Sequence, residues 1–177
     1  MSNQFNILNL INNFPPSLSN YLSNNDAENL IHEFGQNQSL FEKLNLLAKK
    51  NIIAKAALED HRIAMNEICL ENPNRYGQAK WSILQFVEKI MKSIIQLKEP
   101  SINLKKHSHN ISNIDQDIQK VYKISTKADL LKHVRGIAEI RYGQQVSRLE
   151  AIKSYKSAME YLHDLLVDNL EDIFTNF

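Results

Sequence analysis

Glu160-Tyr-Leu-His163 sets a carboxylate and an imidazole three residues apart, on one face of any helix that carries them. Di-iron carboxylate bundles use two such pairs, with a further glutamate from each of two other helices, all pointing inward. A second pair is absent here. Asn29 stands three residues before His32, and neither His61 nor His133 has a glutamate at that position. Glu160 and His163 are therefore expected on a solvated helix face. A metal-carboxylate enzyme is only the third reading of the chain, and no catalytic residue, metal ligand or cofactor is assigned.

A second constellation is a repeat. Arg75-Tyr76-Gly77-Gln78 recurs as Arg141-Tyr142-Gly143-Gln144. Two guanidinium groups brought together would grip a carboxylate or phosphate through paired N–H donors. Lys105, Lys106, His107 and His109 form a basic, imidazole-bearing cluster nearby in kind, able to bind an acidic partner or a metal ion. Arg75, Arg141, Tyr76, Tyr142 and this cluster are thus the candidate residues for an anionic ligand. The competing explanation is structural, each glycine allowing close helix approach and each tyrosine covering neighbouring surface. One matched pair falls short of the sustained period that marks repeat folds, and structure or chance is preferred.

Two single residues complete the inventory. His61 falls on an apolar stripe, where an imidazole is either a buried acid-base group or a core side chain satisfied by one hydrogen bond; the second is expected. Cys69, the only cysteine, lies beside the same stripe and reads as a small core residue. One cysteine makes no internal disulfide and no zinc site on its own. Gly-rich phosphate loops, zinc-protease helices, nucleophile elbows and calcium loops do not occur.

The elements that would position these residues read as helices. With only four glycines and four prolines in 177 residues, tight turns are too scarce for a sheet-rich domain. At 43% apolar and 23% charged residues the chain has the composition of a folded globular protein. The net charge of +1 gives no overall basic footprint for nucleic acid. No apolar run reaches the roughly 18–20 residues of a membrane span. The first residues lack a secretory leader pattern, so a cytoplasmic location or delivery into a host cell is expected.

Along the chain, Phe5, Leu8, Ile11 and Phe14 suggest a short helix closed by Pro15-Pro16, and Asn25 to Gly35 a second. Ser39 to Glu42 has capping-box spacing and opens a helix toward Glu71 that pauses near Lys49-Lys50-Asn51. Asn72-Pro73 opens the next, running to about Lys98 with so wide an apolar face that a central position is required. Residues 99–112 read as a surface loop, and Ser112 to Tyr122 as a short helix capped by Ser112. From Thr126 to Asp172 the apolar residues Tyr142, Val146, Leu149, Ile152, Met159, Leu162, Leu166 and Leu170 sketch one face of a long helix. At 1.5 Å per residue it would span about 65–70 Å. It either bends near Gly143 or forms the spine of an elongated bundle.

The expected fold is all-α: one domain over 1–177, a mostly antiparallel bundle of about six helices, with 1–24 as a short helix and polar segment. The expected function, reached by elimination, is a non-enzymatic protein–protein interaction module: an adaptor, a regulatory subunit or a host-directed effector domain. A second copy of the chain is the expected cover for any apolar strip the long helix leaves bare. The alternative is a bundle that binds a phosphorylated or otherwise anionic ligand, such as a lipid headgroup, through Arg75, Arg141 and the 105–109 loop.

Overall fold

The structure is a computed structural model that describes residues 38–69, 75–107, 109–136, 140 and 145–174. The helices expected before Gly35, the Asn72-Pro73 start signal, and Arg141, Tyr142 and Gly143 lie outside the described residues, as do the side chains of Cys69, Lys105 and Lys106. The described part is all-α: α1 (Gln38–Lys50), α2 (Ile52–Cys69), α3 (Tyr76–Lys98), α4 (Ile111–Tyr122), α5 (Leu131–Val134) and α6 (Arg148–His163). Helix α6 runs on into a π turn, Asp164–Asn169, and a 3-10 turn, Glu171–Phe174. None of these helices is long and apolar enough to cross a membrane.

The weak point in the apolar stripe at Lys49-Lys50-Asn51 is a sharp corner. Asn51 leaves the helix, and its Oδ1 accepts from the amides of Ile53 and Ala54 at 2.8 and 3.3 Å, capping α2. Phe41 and His61 stand twenty residues apart, which would separate them by about 30 Å in one straight helix. Their ring centroids lie 5.6 Å apart, so α2 folds back beside α1. Helix α2 then runs antiparallel to α3. Asn51 meets Gln96 at 3.3 Å, Asp60 meets Lys89 at 2.6 Å, and Glu67 meets Arg75, in reverse order along the two helices.

Helix α3 packs against α2, α4, α5 and α6, the central position that its wide apolar face demands. Tyr76, Ala79, Ile83, Leu84, Phe86, Val87, Ile90, Met91, Ile94 and Ile95 are all buried along it. The next pair departs from the antiparallel expectation. His109, just before α4, lies against Trp81 and Glu88, whereas Tyr122 at its end donates to the Ile94 carbonyl at 2.7 Å. Helix α4 therefore runs in the same direction as α3. The connecting residues return along α3 to make this possible, and they pack as they go. Leu104 and His107 are buried in a 3-10 turn, so the expected surface loop at 99–112 is in part a core element.

The single spine over Thr126–Asp172 does not form. Residues 124–127 and 135–136 are non-helical, α5 spans one turn, and α6 starts afresh at Arg148. The physical reason is local. Ser147 is extended (φ −75°, ψ 156°), its hydroxyl accepts from the Glu150 amide, and the Glu150 carboxylate accepts from the Ser147 amide. This capping box starts a helix where periodicity alone continues one. Thr126, one of the two residues (with Ser125) from which the spine is expected to start, instead donates its hydroxyl to Asp115 at 2.7 Å. Two other start signals shift. Ser39 lies inside α1, which begins at Gln38, and α4 is capped by Asn110 rather than Ser112. Leu149, placed on the buried face by its spacing, is 75% exposed.

Candidate functional site

The described candidate residues are engaged by partners within the fold. Arg75 stands at the head of α3, and its Nε donates to Glu67 Oε2 at 2.6 Å while its Nη2 bonds the other carboxylate oxygen. That fork ties the end of α2 to the start of α3, and the hydrogen bonds and charge of Glu67 raise the guanidinium pKa. The anion that Arg75 grips is thus the protein's own. Tyr76 is buried at the start of α3. With Arg141 and Tyr142 outside the described residues, no clamp is formed by the residues that are described.

His107 and His109 do not share a site. His107 is buried, and its Nε2 lies 2.8 Å from Asp117 Oδ2, tying the 3-10 turn to α4. His109 is half exposed, with its Nδ1 2.8 Å from the buried Glu88 and 3.2 Å from Gln85, and its ring edge meets Trp81. Glu88 is also bonded by Lys92 at 2.5 Å. Both imidazoles act as cross-links between consecutive elements.

Glu160 and His163 are correctly placed on one face of α6, and that face is solvated. Glu160 is exposed, and His163 Nδ1 lies 3.5 Å from Asp168 in the π turn. Among the described residues no three His, Cys, Asp or Glu side chains converge as a metal would need.

The buried polar chemistry lies elsewhere, in two places. His61 sits at the junction of four helices, ringed by Phe41 of α1, Phe86 of α3 and Tyr155 of α6, with its Nε2 3.1 Å from the Tyr155 hydroxyl. Burial pushes its pKa down to about 4, so the imidazole is neutral at physiological pH. Asp115 of α4, also buried, accepts from the hydroxyls of Tyr161 and Thr126, each at 2.7 Å, and from Gln119 at 2.6 Å. Burial raises the Tyr161 pKa, and the Asp115 charge adds to the rise. Close by in sequence, Asp164 accepts from the Lys127 amide at 2.9 Å, so the π turn is anchored to the start of the α5 segment.

Two surface clefts are open to solvent. One, of about 570 Å³, is lined by His109, Asn110, Ser112, Arg135, Gly136 and Ile140 among others, and Arg135 bonds the Ser112 hydroxyl across it. The second, of about 600 Å³, lies at the α1–α2 corner between Asn45, Lys49, Lys55 and Leu58. A separate basic face was not legible as a motif. Lys80 of α3, Lys132 beside His133 of α5, and Lys153 of α6 act together on His133, and burial and then these charges lower its pKa. Residues 80, 132, 133 and 153 share no short spacing, so only the packing of α3, α5 and α6 relates them. Comparison of the chain with known protein families, with curated proteins and with solved structures finds no match in any of the three.

Proposed function

We propose that the protein is a non-enzymatic interaction module, an adaptor, regulatory subunit or host-directed effector domain that offers helical surface to another protein. One observation carries this reading. Among the described residues, side chains of the types that serve catalysis are spent on holding elements together: Glu67 on Arg75, Asp60 on Lys89, Glu88 on His109, and Asp117 on His107. Among the described residues the large apolar side chains left at the surface are Ile52 and Leu149, 78% and 75% exposed, on different helices. Isolated apolar side chains of this kind are common on surfaces and serve as anchors when a partner covers them. The test is affinity capture from a native lysate with the wild-type chain and with an Ile52→Glu/Leu149→Glu variant. A protein held saturably by the first and released by the second supports the reading. Capture indifferent to both substitutions, or turnover of a small molecule by the purified chain, sinks it.

The second reading, an anionic ligand, is favoured by the lysines around His133 rather than by Arg75, whose guanidinium is already occupied. An anion held there would offset the three ammonium charges and raise the His133 pKa. Titration of the His133 ring protons by NMR, with and without inorganic phosphate or inositol hexakisphosphate, checks this. An unmoved midpoint removes the reading.

A further inference from the structure

The α1–α2 corner carries three features within one short stretch. Asn45, Ala48 and Lys49 from the last turns of α1 face Ile52, Lys55 and Leu58 from the first turns of α2, and between them lies the cleft of about 600 Å³. Leu58 is half-buried against the core and Ala48 packs beside it, giving the cleft an apolar floor. Ile52 stands 78% exposed at its edge. Lys49, Lys50 and Lys55 are exposed around it, and none of the described residues that line it is acidic. An apolar floor with an apolar knob, flanked by the ammonium groups of Lys49 and Lys55, is complementary in charge to a carboxylate-bearing segment.

We infer that the α1–α2 corner is a docking groove for an acidic polypeptide segment that carries one apolar side chain beside its carboxylates. This inference rests on the interaction-module reading and names the surface and the partner's chemistry. The apolar side chain packs on Ala48, Ile52 and Leu58, and its neighbouring carboxylates meet Lys49 and Lys55. A second copy of the chain docking through the same surface is disfavoured, because a two-fold contact would set lysine against lysine. A bilayer is disfavoured because a single isoleucine offers it little apolar burial, and a flat surface leaves the cleft unfilled.

The corner itself is built to hold shape. Asn51 caps α2 through its Oδ1 and reaches Gln96 of α3 through its side-chain amide at 3.3 Å. The groove is therefore set by a hydrogen-bonded hinge rather than by the side chains that line it. Substitutions at Ile52, Lys49 or Lys55 touch only exposed atoms and leave that hinge in place.

The test is an amide chemical-shift titration of the full chain. The probes are a short Glu-rich peptide with one central leucine, the same peptide with serine in place of leucine, a Lys-rich counterpart, and vesicles of mixed phosphatidylserine and phosphatidylcholine. The inference expects shifts confined to residues 45–58 with the first probe, weakened by salt and by loss of the leucine. Ile52→Glu and the Lys49→Glu/Lys55→Glu pair should each weaken this binding by ~10-fold or more, while Leu149→Glu leaves it unchanged. Absence of peptide binding, equal binding of the Lys-rich peptide, binding of vesicles alone, or indifference to Ile52→Glu each overturns it. A lysate partner lost by Leu149→Glu but kept by Ile52→Glu would overturn the groove and leave the interaction-module reading standing. If neither substitution releases a partner, that reading falls with it.

Discussion

His61 and Asp115 are both buried ionisable groups close to α6, and the protein treats them in opposite ways. Around His61 the neighbours are aromatic rings from α1, α3 and α6, and the Tyr155 hydroxyl lies within hydrogen-bond distance of its Nε2. Desolvation wins there, and the group gives up its charge. Around Asp115 three donors converge within 2.7 Å, two hydroxyls and an amide, drawn from α4, α6 and the segment before α5. A carboxylate supplied with that many donors is compatible with burial, because three of its roughly four lone-pair sites find a proton inside the protein. The first site is an apolar junction that tolerates a polar atom. The second is a polar junction that organises three elements around one residue.

The largest expected effect breaks the second junction. Asp115→Ala removes the acceptor of the fully buried Tyr161 hydroxyl and of Thr126 and Gln119. Each buried donor left unsatisfied costs about 1–3 kcal/mol, and Thr126 and Gln119 recover part of this from water because they are only half-buried. A loss of about 4 kcal/mol in urea or thermal unfolding is expected. A loss under about 1 kcal/mol would mean that the network is peripheral.

Next in size is acid sensitivity through His61. The unfolded imidazole takes up its proton near pH 6.5 and the folded one near 4, so the unfolded state binds more protons throughout that window. Stability falls as pH drops, by up to about 1.4 kcal/mol per pH unit and about 3 kcal/mol across the window. His61→Gln, which keeps a hydrogen bond within reach of Tyr155, removes this contribution. The difference in unfolding free energy between wild type and variant should therefore shrink from pH 7 to pH 4.5. Parallel pH curves for the two proteins would show that His61 is not the group responsible.

The two junctions were unequally legible in the sequence. His61 sat on the stripe that runs through Leu58 and Met65, and a core imidazole with one hydrogen bond follows from that spacing. Asp115 had no such signal. It lies near the start of a helix, where a carboxylate is explained by the dipole, and its partners Tyr161 and Thr126 are 46 and 11 residues away. Periodicity reports which face is buried, but not which distant hydroxyl meets it. The same limit explains the missing spine. The apolar face of residues 126–172 continues through breaks that depend on Ser147 and Thr126, and Ser147-Arg-Leu-Glu150 was the one local sign of a fresh start. The central place of α3 was legible from the width of its apolar face, and thirteen of its side chains are indeed buried. As for the candidate residues, Arg75 and His109 were recognised as charged groups in search of anions. That the anions are Glu67 and Glu88 depends on the α2–α3 and α3–α4 packing, which sequence spacing does not encode.

The smallest effect separates the two junctions most cleanly, because it uses the same substitution at both. Tyr161→Phe and Tyr155→Phe each delete one hydroxyl on α6, six residues apart, with almost no change of volume. The Tyr161 hydroxyl donates to a carboxylate at 2.7 Å, and the Tyr155 hydroxyl meets a neutral imidazole at 3.1 Å. Hydrogen bonds to charged groups contribute about 1.5–3 kcal/mol and neutral ones about 0.5–1.5, so Tyr161→Phe should be the more damaging by about 1 kcal/mol at pH 7. Combining each with its partner's substitution sharpens the point. In a double-mutant cycle Tyr161 should couple to Asp115 more strongly than Tyr155 couples to His61, and the second coupling should change as pH falls toward 4, where the His61 imidazole gains its proton. Equal couplings at neutral pH would mean that the Asp115 hydrogen bond is worth no more than the imidazole one, and the contrast between the two junctions would then collapse into two versions of the same device.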